Sequence, residues 1–121
     1  MRILVIAFCI MLLAVPAFAV ELNFGWNEVT TNADGTPCED LGGYFFYCSL
    51  TEGDYVDPLC KIDVGNHINA TVDVALNEGE TGYFVVTAYD LNGNESEPSN
   101  EISYVYPFQC PAAPAGLHLV P

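Results

Sequence analysis

Apolar and polar residues alternate in short blocks along most of this chain. Leu22, Phe24 and Trp26 interleave with Glu21, Asn23, Gly25 and Asn27, which is the period-two signature of a half-buried strand. Ala70, Val72 and Val74 alternate with Thr71, Asp73 and Ala75 in the same way. Residues 43–48 (GYFFYC) and 83–89 (YFVVTAY) are aromatic and β-branched runs, and 60–64 and 101–106 are further strand candidates. Turn residues separate them: the NADGTP cluster at 32–37, Asp57-Pro58, Gly65-Asn66, the polar stretch 77–82 and the hairpin signal Asn92-Gly93-Asn94. No helical period follows residue 20. Short strands at close spacing predict an all-β chain folded as an antiparallel β-sandwich.

The first residues have a different character. Arg2 precedes an apolar run from Ile3 to Val15, and Ala17-Phe18-Ala19 closes it with small residues. That order predicts a secretory signal peptide over residues 1–19. The run is short of the roughly 20 apolar residues that a membrane span needs, so no membrane insertion is expected after cleavage. The mature chain is one small domain. Its formal net charge of −14 becomes −15 once Arg2 is removed, and Lys61 is then the sole Lys or Arg. Such a surface repels nucleic acid and anionic lipid and favours an extracellular or salty setting. Cys9 leaves with the leader. Cys38, Cys48, Cys60 and Cys110 remain, an even number that suggests disulfides in a secreted domain. Their spacing is not that of a zinc site, and no cofactor is expected. Four cysteines allow three pairings, and the sequence does not choose among them.

The stretch Phe84-x-Val86-x-Ala88-Tyr89-Asp90, followed by Gly93-Asn94-Glu95-Ser96 and Ser99-Asn100-Glu101, resembles the last two strands and their hairpin in a fibronectin type III domain. Trp26 fits the tryptophan of that family's strand B, and 40–44 (DLGGY) fits the entry to strand C. The likeness spans about residues 20–107. It departs in two places. Gly82 stands where the family usually has a tyrosine that pins a corner, so that corner should be looser or held otherwise. The family's first strand, A, is also missing from the start of the mature chain. A segment similar to it, 113–119 (APAGLHL), lies instead in the tail 108–121.

The resemblance implies that strand G ends at the pole opposite the one where strand A begins. A strand of about six residues is about 20 Å long, so residues 107–113 would reach the chain's own vacancy only if nearly extended. Passing into a second molecule is easier, and strand addition of that kind propagates head to tail. The residues expected to carry it are Pro114, Gly116, Leu117 and Leu119. The same layout separates Cys38 from Cys110 within one molecule and brings them together between neighbours, while Cys48 and Cys60 can meet within one. Two alternatives stand beside this: a tail folded back antiparallel onto its own edge, with Cys110 reaching Cys48 or Cys60, and a disordered tail.

If Tyr44, Phe46, Phe84, Val86 and Ala88 point inward, then Phe45, Tyr47, Tyr83, Val85 and Tyr89 point outward. Phe45, Tyr47, Tyr83 and Tyr89 would form an exposed aromatic face suited to a protein or an extracellular glycan. Residues 90–95 (DLNGNE) hold oxygen ligands, but the glycine comes too early for a calcium loop. Asn69 and Asn94 match the glycosylation pattern. No nucleophile–base set, phosphate loop or histidine cluster points to catalysis. The expectation is a secreted, non-enzymatic interaction or structural module that self-associates through its C-terminal strand, with a monomeric adhesion or glycan-binding module as the alternative.

Overall fold

The computed structural model describes residues 18–108 and 110–121. The leader expected at 1–19, with Cys9, lies outside the described residues as far as residue 17. Six strands are present among the described residues: β1 (Phe18–Gly25), β2 (Leu41–Ser49), β3 (Cys60–Gly65), β4 (Asn69–Leu76), β5 (Thr81–Asp90) and β6 (Ile102–Val105). They form two antiparallel sheets, β1-β4 and β3-β2-β5-β6. The described residues contain no helix. The chain is an all-β sandwich.

The alternation of side chains dictates this packing. Tyr44, Phe46 and Cys48 on β2, Phe84 and Ala88 on β5, and Val72, Val74 and Leu76 on β4 are all buried. Phe24 joins the sheets, with its ring centroid 4.5 Å from that of Phe46 and 4.8 Å from that of Phe84. Cys48 and Cys60 stand opposite each other in the β2–β3 ladder and form a disulfide, with Cα atoms 5.0 Å apart.

Take the end at which the chain leaves β6 as the lower pole. Leu76, Thr81 and Val105 lie there, and Leu41 and Asp90 pair at the upper pole. The β4–β5 corner sits at the lower pole, next to Gly82. Without a tyrosine at 82, the corner is held by the backbone. Gly79 N donates to Tyr106 O (2.7 Å), Tyr106 N donates to Glu80 O (3.0 Å), and the Phe108 ring lies over Gly79.

Two features depart from the simple strand reading. The expected return strand is short, because β6 begins only at Ile102. Above it, the Ser96 and Ser99 hydroxyls accept the Ala88 and Val86 N–H groups at 2.9 and 3.0 Å, while the Ser96 and Ser99 N–H groups donate to the Ala88 and Val86 carbonyls at 2.7 and 2.8 Å, so hydroxyls stand in for the carbonyl acceptors of a ladder that Pro98 interrupts. On β5, Val85 is buried, although its parity placed it outward, and Val86 is only half-buried. The β2–β3 loop accounts for Val85. It crosses the outer face, and the Gly53 N–H and Tyr55 hydroxyl both donate to Glu101 Oε2, at 2.9 and 2.6 Å. Val86 lines a cleft between the sheets.

Candidate interaction surface

The two strands of the small sheet are buried unequally. Val72, Val74 and Leu76 on β4 are almost fully enclosed, while Val20, Leu22, Phe24 and Trp26 stay half-buried although they pack on the same core. β1 has a strand partner on one side only among the described residues. Its other edge presents unpaired backbone donors and acceptors. Beside that edge runs a cleft of about 270 Å³ lined by Phe24, Trp26, Phe46, Phe84, Val86 and Ile102. A second cleft continues it upward past Val29, Ser96 and Ser99, and a third carries it to Cys38 at the upper pole. The result is a trough that starts at Phe24 and Gly25, the upper end of β1, and runs up to Cys38, apolar at its lower end, lined by Asn32, Asp90, Asn94 and Glu95 at its upper end, and walled by residues 95–102.

Trp26 lies where the first two clefts join. Its ring meets Tyr44 edge-on at 5.6 Å, and its Nε1 atom is buried with no acceptor among the described residues. An unmet indole donor costs about 1–3 kcal/mol; the atom is closed to solvent, and only a carbonyl brought directly to it could accept its N–H. Nothing in the sequence signals this orphan, because it depends on which groups the fold brings around the ring.

The tail carries no strand. Residues 110–121 are exposed along their whole length, and Leu117, Leu119 and Val120 are left in solvent. Pro114, Gly116, Leu117 and Leu119 therefore touch neither β1 nor the trough of their own chain. Gly116 takes a positive φ of 74°, and its carbonyl lies 2.7 Å from His118 Nδ1. The antiparallel fold-back is not seen, and a Cys110 bridge to Cys48 or Cys60 is closed off because those two are joined to each other. Cys38 and Cys110 are free.

The aromatic face is assembled, but it is engaged with its own chain. Phe45 packs on Tyr89 at 4.6 Å and near Tyr47 at 6.5 Å, and Lys61 Nζ sits 4.5 Å from the Phe45 centroid. Tyr89 donates to Asp63 at 2.7 Å, and this bond is the main cause of its raised pKa. The Tyr47 hydroxyl donates to Glu95, which also accepts from Thr87. Desolvation opposes ionisation of Glu95, yet the hydrogen bonds from Tyr47 and Thr87 and the Lys61 charge hold its carboxyl below its usual range. Desolvation, and then the bond to Glu101, push the Tyr55 hydroxyl far upward. All four predicted face residues, Phe45, Tyr47, Tyr83 and Tyr89, are half-buried. Tyr55 and Glu101 were missed in the sequence because a loop residue carries no period.

At the upper turn, Asp90 accepts from Asn92 N, Asn94 N and Asn94 Nδ2, each at 2.9 Å, and these bonds, led by the Asn94 side chain, lower its pKa. The loop is thus an Asx turn built around Asp90. Asn94 is committed to it, while Asn69 is exposed at the start of β4. No group of three His, Cys, Asp or Glu side chains converges among the described residues. Comparison with protein-family models, curated proteins and solved structures found no match.

Proposed function

We propose that this chain is a secreted, non-catalytic module that assembles head to tail, with the C-terminal segment of one copy completing the β1 edge of the next. The observation that carries this reading is the uneven burial of the small sheet. Side chains on β4 are sealed, while Val20, Leu22 and Phe24 on β1 stay half-buried, and Phe24 lines the trough. The strand order is that of a fibronectin type III sandwich without its first strand, which supports the family resemblance. The segment fits the vacancy in three respects. Leu117 and Leu119 share one face of an extended strand and turn toward Leu22, Phe24 and Trp26. Pro114 suits an edge position, and Gly116 is free to exchange its φ of 74° for an extended one. No Asp or Glu follows Glu101, so the tail enters an acidic neighbour without repulsion.

Burying each leucine is worth about 1.5–3 kcal/mol. Ordering the tail and losing rotational and translational freedom oppose this, so assembly is concentration-dependent. Light scattering of the processed protein, full-length and lacking residues 111–121, tests the reading. Concentration-dependent growth by the full chain and monomer for the truncated one are expected. Identical monomers at millimolar concentration would end it.

A further inference from the structure

Cys38 and Cys110 are free, and they lie at opposite poles of the sandwich. Cys38 N donates to Thr30 O at 3.0 Å, which fixes it in the upper loop between β1 and β2. Cys110 is exposed just beyond the lower pole, two residues after Phe108, whose ring rests over Gly79. The ten residues of β5, Thr81–Asp90, span roughly 30 Å between the poles at about 3.3 Å per residue. Two residues of chain reach about 7 Å, and a disulfide needs Cα atoms within about 7 Å. Within one molecule the two thiols cannot meet while Phe108 stays on Gly79.

We infer that Cys110 of one copy forms a disulfide with Cys38 of the next and so locks the assembled strand covalently. This rests on the strand-donation reading, and the trough's direction supplies the register. β1 runs from the lower pole to the upper. A strand added antiparallel to it enters at the upper pole, where the trough ends at Cys38. Side chains directly opposite each other in an antiparallel pair lie on the same face. Leu117 and Leu119 must face inward with Leu22 and Phe24, so Leu117 stands opposite Phe24 and Leu119 opposite Leu22. Ala115 then falls opposite Trp26. Counting on in the same register sets Cys110 beside Thr31. Thr31 adjoins Thr30, the residue that holds Cys38, and pairs with Pro37 in an isolated bridge. A slip of two residues either way preserves the inward face and still leaves Cys110 within residues 29–33.

The chemistry requires an oxidant, and a low-molecular-weight disulfide of the glutathione type supplies it. The Cys38 thiolate attacks one glutathione sulfur, forming a mixed disulfide and releasing one glutathione thiolate. The Cys110 thiolate of the neighbour then attacks the Cys38 sulfur and releases the second. The two protons lost by the protein thiols end on the two released glutathiones. One disulfide is reduced and one is formed.

The test is oxidation of the processed full chain by glutathione disulfide, read on a non-reducing gel and by mass spectrometry of linked peptides. A ladder that collapses with reductant, with Cys38–Cys110 as the dominant peptide pair, is expected. Cys38→Ser and Cys110→Ser should each stop the ladder at dimer or below while light scattering still reports assembly. Dominant Cys38–Cys38 or Cys110–Cys110 pairs, or assembly by light scattering with no linked peptide, overturns the cross-link and leaves strand donation standing. The double variant Leu117→Asp, Leu119→Asp keeps both cysteines and has no packing to lose in the monomer, since both leucines are exposed there. It should ladder at least ten-fold more slowly. A ladder at the wild-type rate would show that docking does not direct the bond, and it would overturn the register argued here.

Discussion

Leu22 and Val72 stand directly opposite each other in the β1–β4 ladder, yet Val72 is 5 % exposed and Leu22 is only half-buried. Opposed positions on one face of a two-stranded sheet should be covered alike. Both strands have a free edge in this two-stranded sheet, so the difference lies in what packs beside each; in the proposed assembly the donated strand covers the β1 side.

The same substitution on the two strands should therefore have unequal effects. In the chain lacking residues 111–121, Leu76→Ala removes a fully enclosed side chain and should cost about 3 kcal/mol or more, within the range for buried leucines. Leu22→Ala should cost less than about half of that, because water already reaches it. Adding a peptide of residues 110–121 at high concentration should stabilise the parent and widen the penalty at Leu22. Denaturant melts with and without peptide report both effects. Equal costs at the two positions would remove the basis for a vacancy at β1.

Most of the fold was legible because it is written in period two. Leu22, Phe24 and Trp26 alternate with polar residues, and so do Ala70, Val72 and Val74; both segments fold as strands, with Trp26 just past the end of β1. Residues 96–101 were not legible in this way. The Ser96 and Ser99 hydroxyls accept from β5 while their own N–H groups donate back to it, and a serine that substitutes for a carbonyl looks like any turn residue. The burial of Val85 was hidden for a related reason. Its parity is outward, but Tyr55 arrives from a loop 30 positions earlier, and no local pattern announces a loop that crosses a sheet. The trough, likewise, is a property of an edge, and edges appear only when topology assigns the neighbours.

The Cys48–Cys60 bridge closes a short loop across adjacent strands, with a sequence separation of 12. Constraining the unfolded chain over such a loop is worth about 2–3 kcal/mol. Reduction, or Cys48→Ala with Cys60→Ala, should lower the unfolding free energy by about that much in urea. The slope of the transition should rise, because the unlinked chain exposes more surface. An unchanged midpoint would mean that the bridge adds nothing to the β2–β3 ladder.

Gly79 combines a positive φ of 79° with the Phe108 ring above it, so an added Cβ meets both backbone strain and the ring. Gly79→Ala should destabilise the domain by about 1–2 kcal/mol. Phe108 is exposed on its other side and can swing away, so Phe108→Ala should itself cost little. In the background of Phe108→Ala, the Gly79→Ala penalty should shrink to the backbone component alone. A double-mutant cycle in thermal melts measures the coupling, and a coupling of zero would mean that the ring does not hold the tail's point of departure.

The pH response of the upper half of the sheet follows from Glu95. Its carboxyl titrates below its usual range in the folded chain, so the ionised form stabilises the fold. That contribution is fully present above the ordinary glutamate pKa of about 4.3 and is lost as the pH falls through the lower folded value. Protonating the many other carboxylates relieves repulsion and acts in the opposite sense, so the informative quantity is a difference. Between about pH 5 and pH 3, Glu95→Gln should lose less stability than the parent. If the two curves run parallel, the bonds from Tyr47 and Thr87 to Glu95 carry no pH-dependent stability.

Salt separates the two kinds of contact that could join copies of so acidic a chain. With residues 1–19 removed as proposed, each subunit would carry a formal charge of −15 with one lysine, and neighbours repel over roughly the Debye length, about 20 Å at 20 mM salt and below 6 Å at 0.3 M. The docking proposed here is made of main-chain hydrogen bonds and leucine packing, which salt screens little, and the inserted tail has no carboxylate side chain. Raising sodium chloride across that range should therefore strengthen assembly, lowering the concentration for half-assembly several-fold, and the full chain should respond while the Leu117→Asp, Leu119→Asp variant should not. Sedimentation velocity at a series of salt concentrations reads this directly. An interface organised around Lys61 on the aromatic face would respond in the reverse direction, because its attraction to a carboxylate would be screened. Assembly that weakens with salt would transfer the contact from the β1 edge to the face formed by Phe45, Tyr47 and Tyr89.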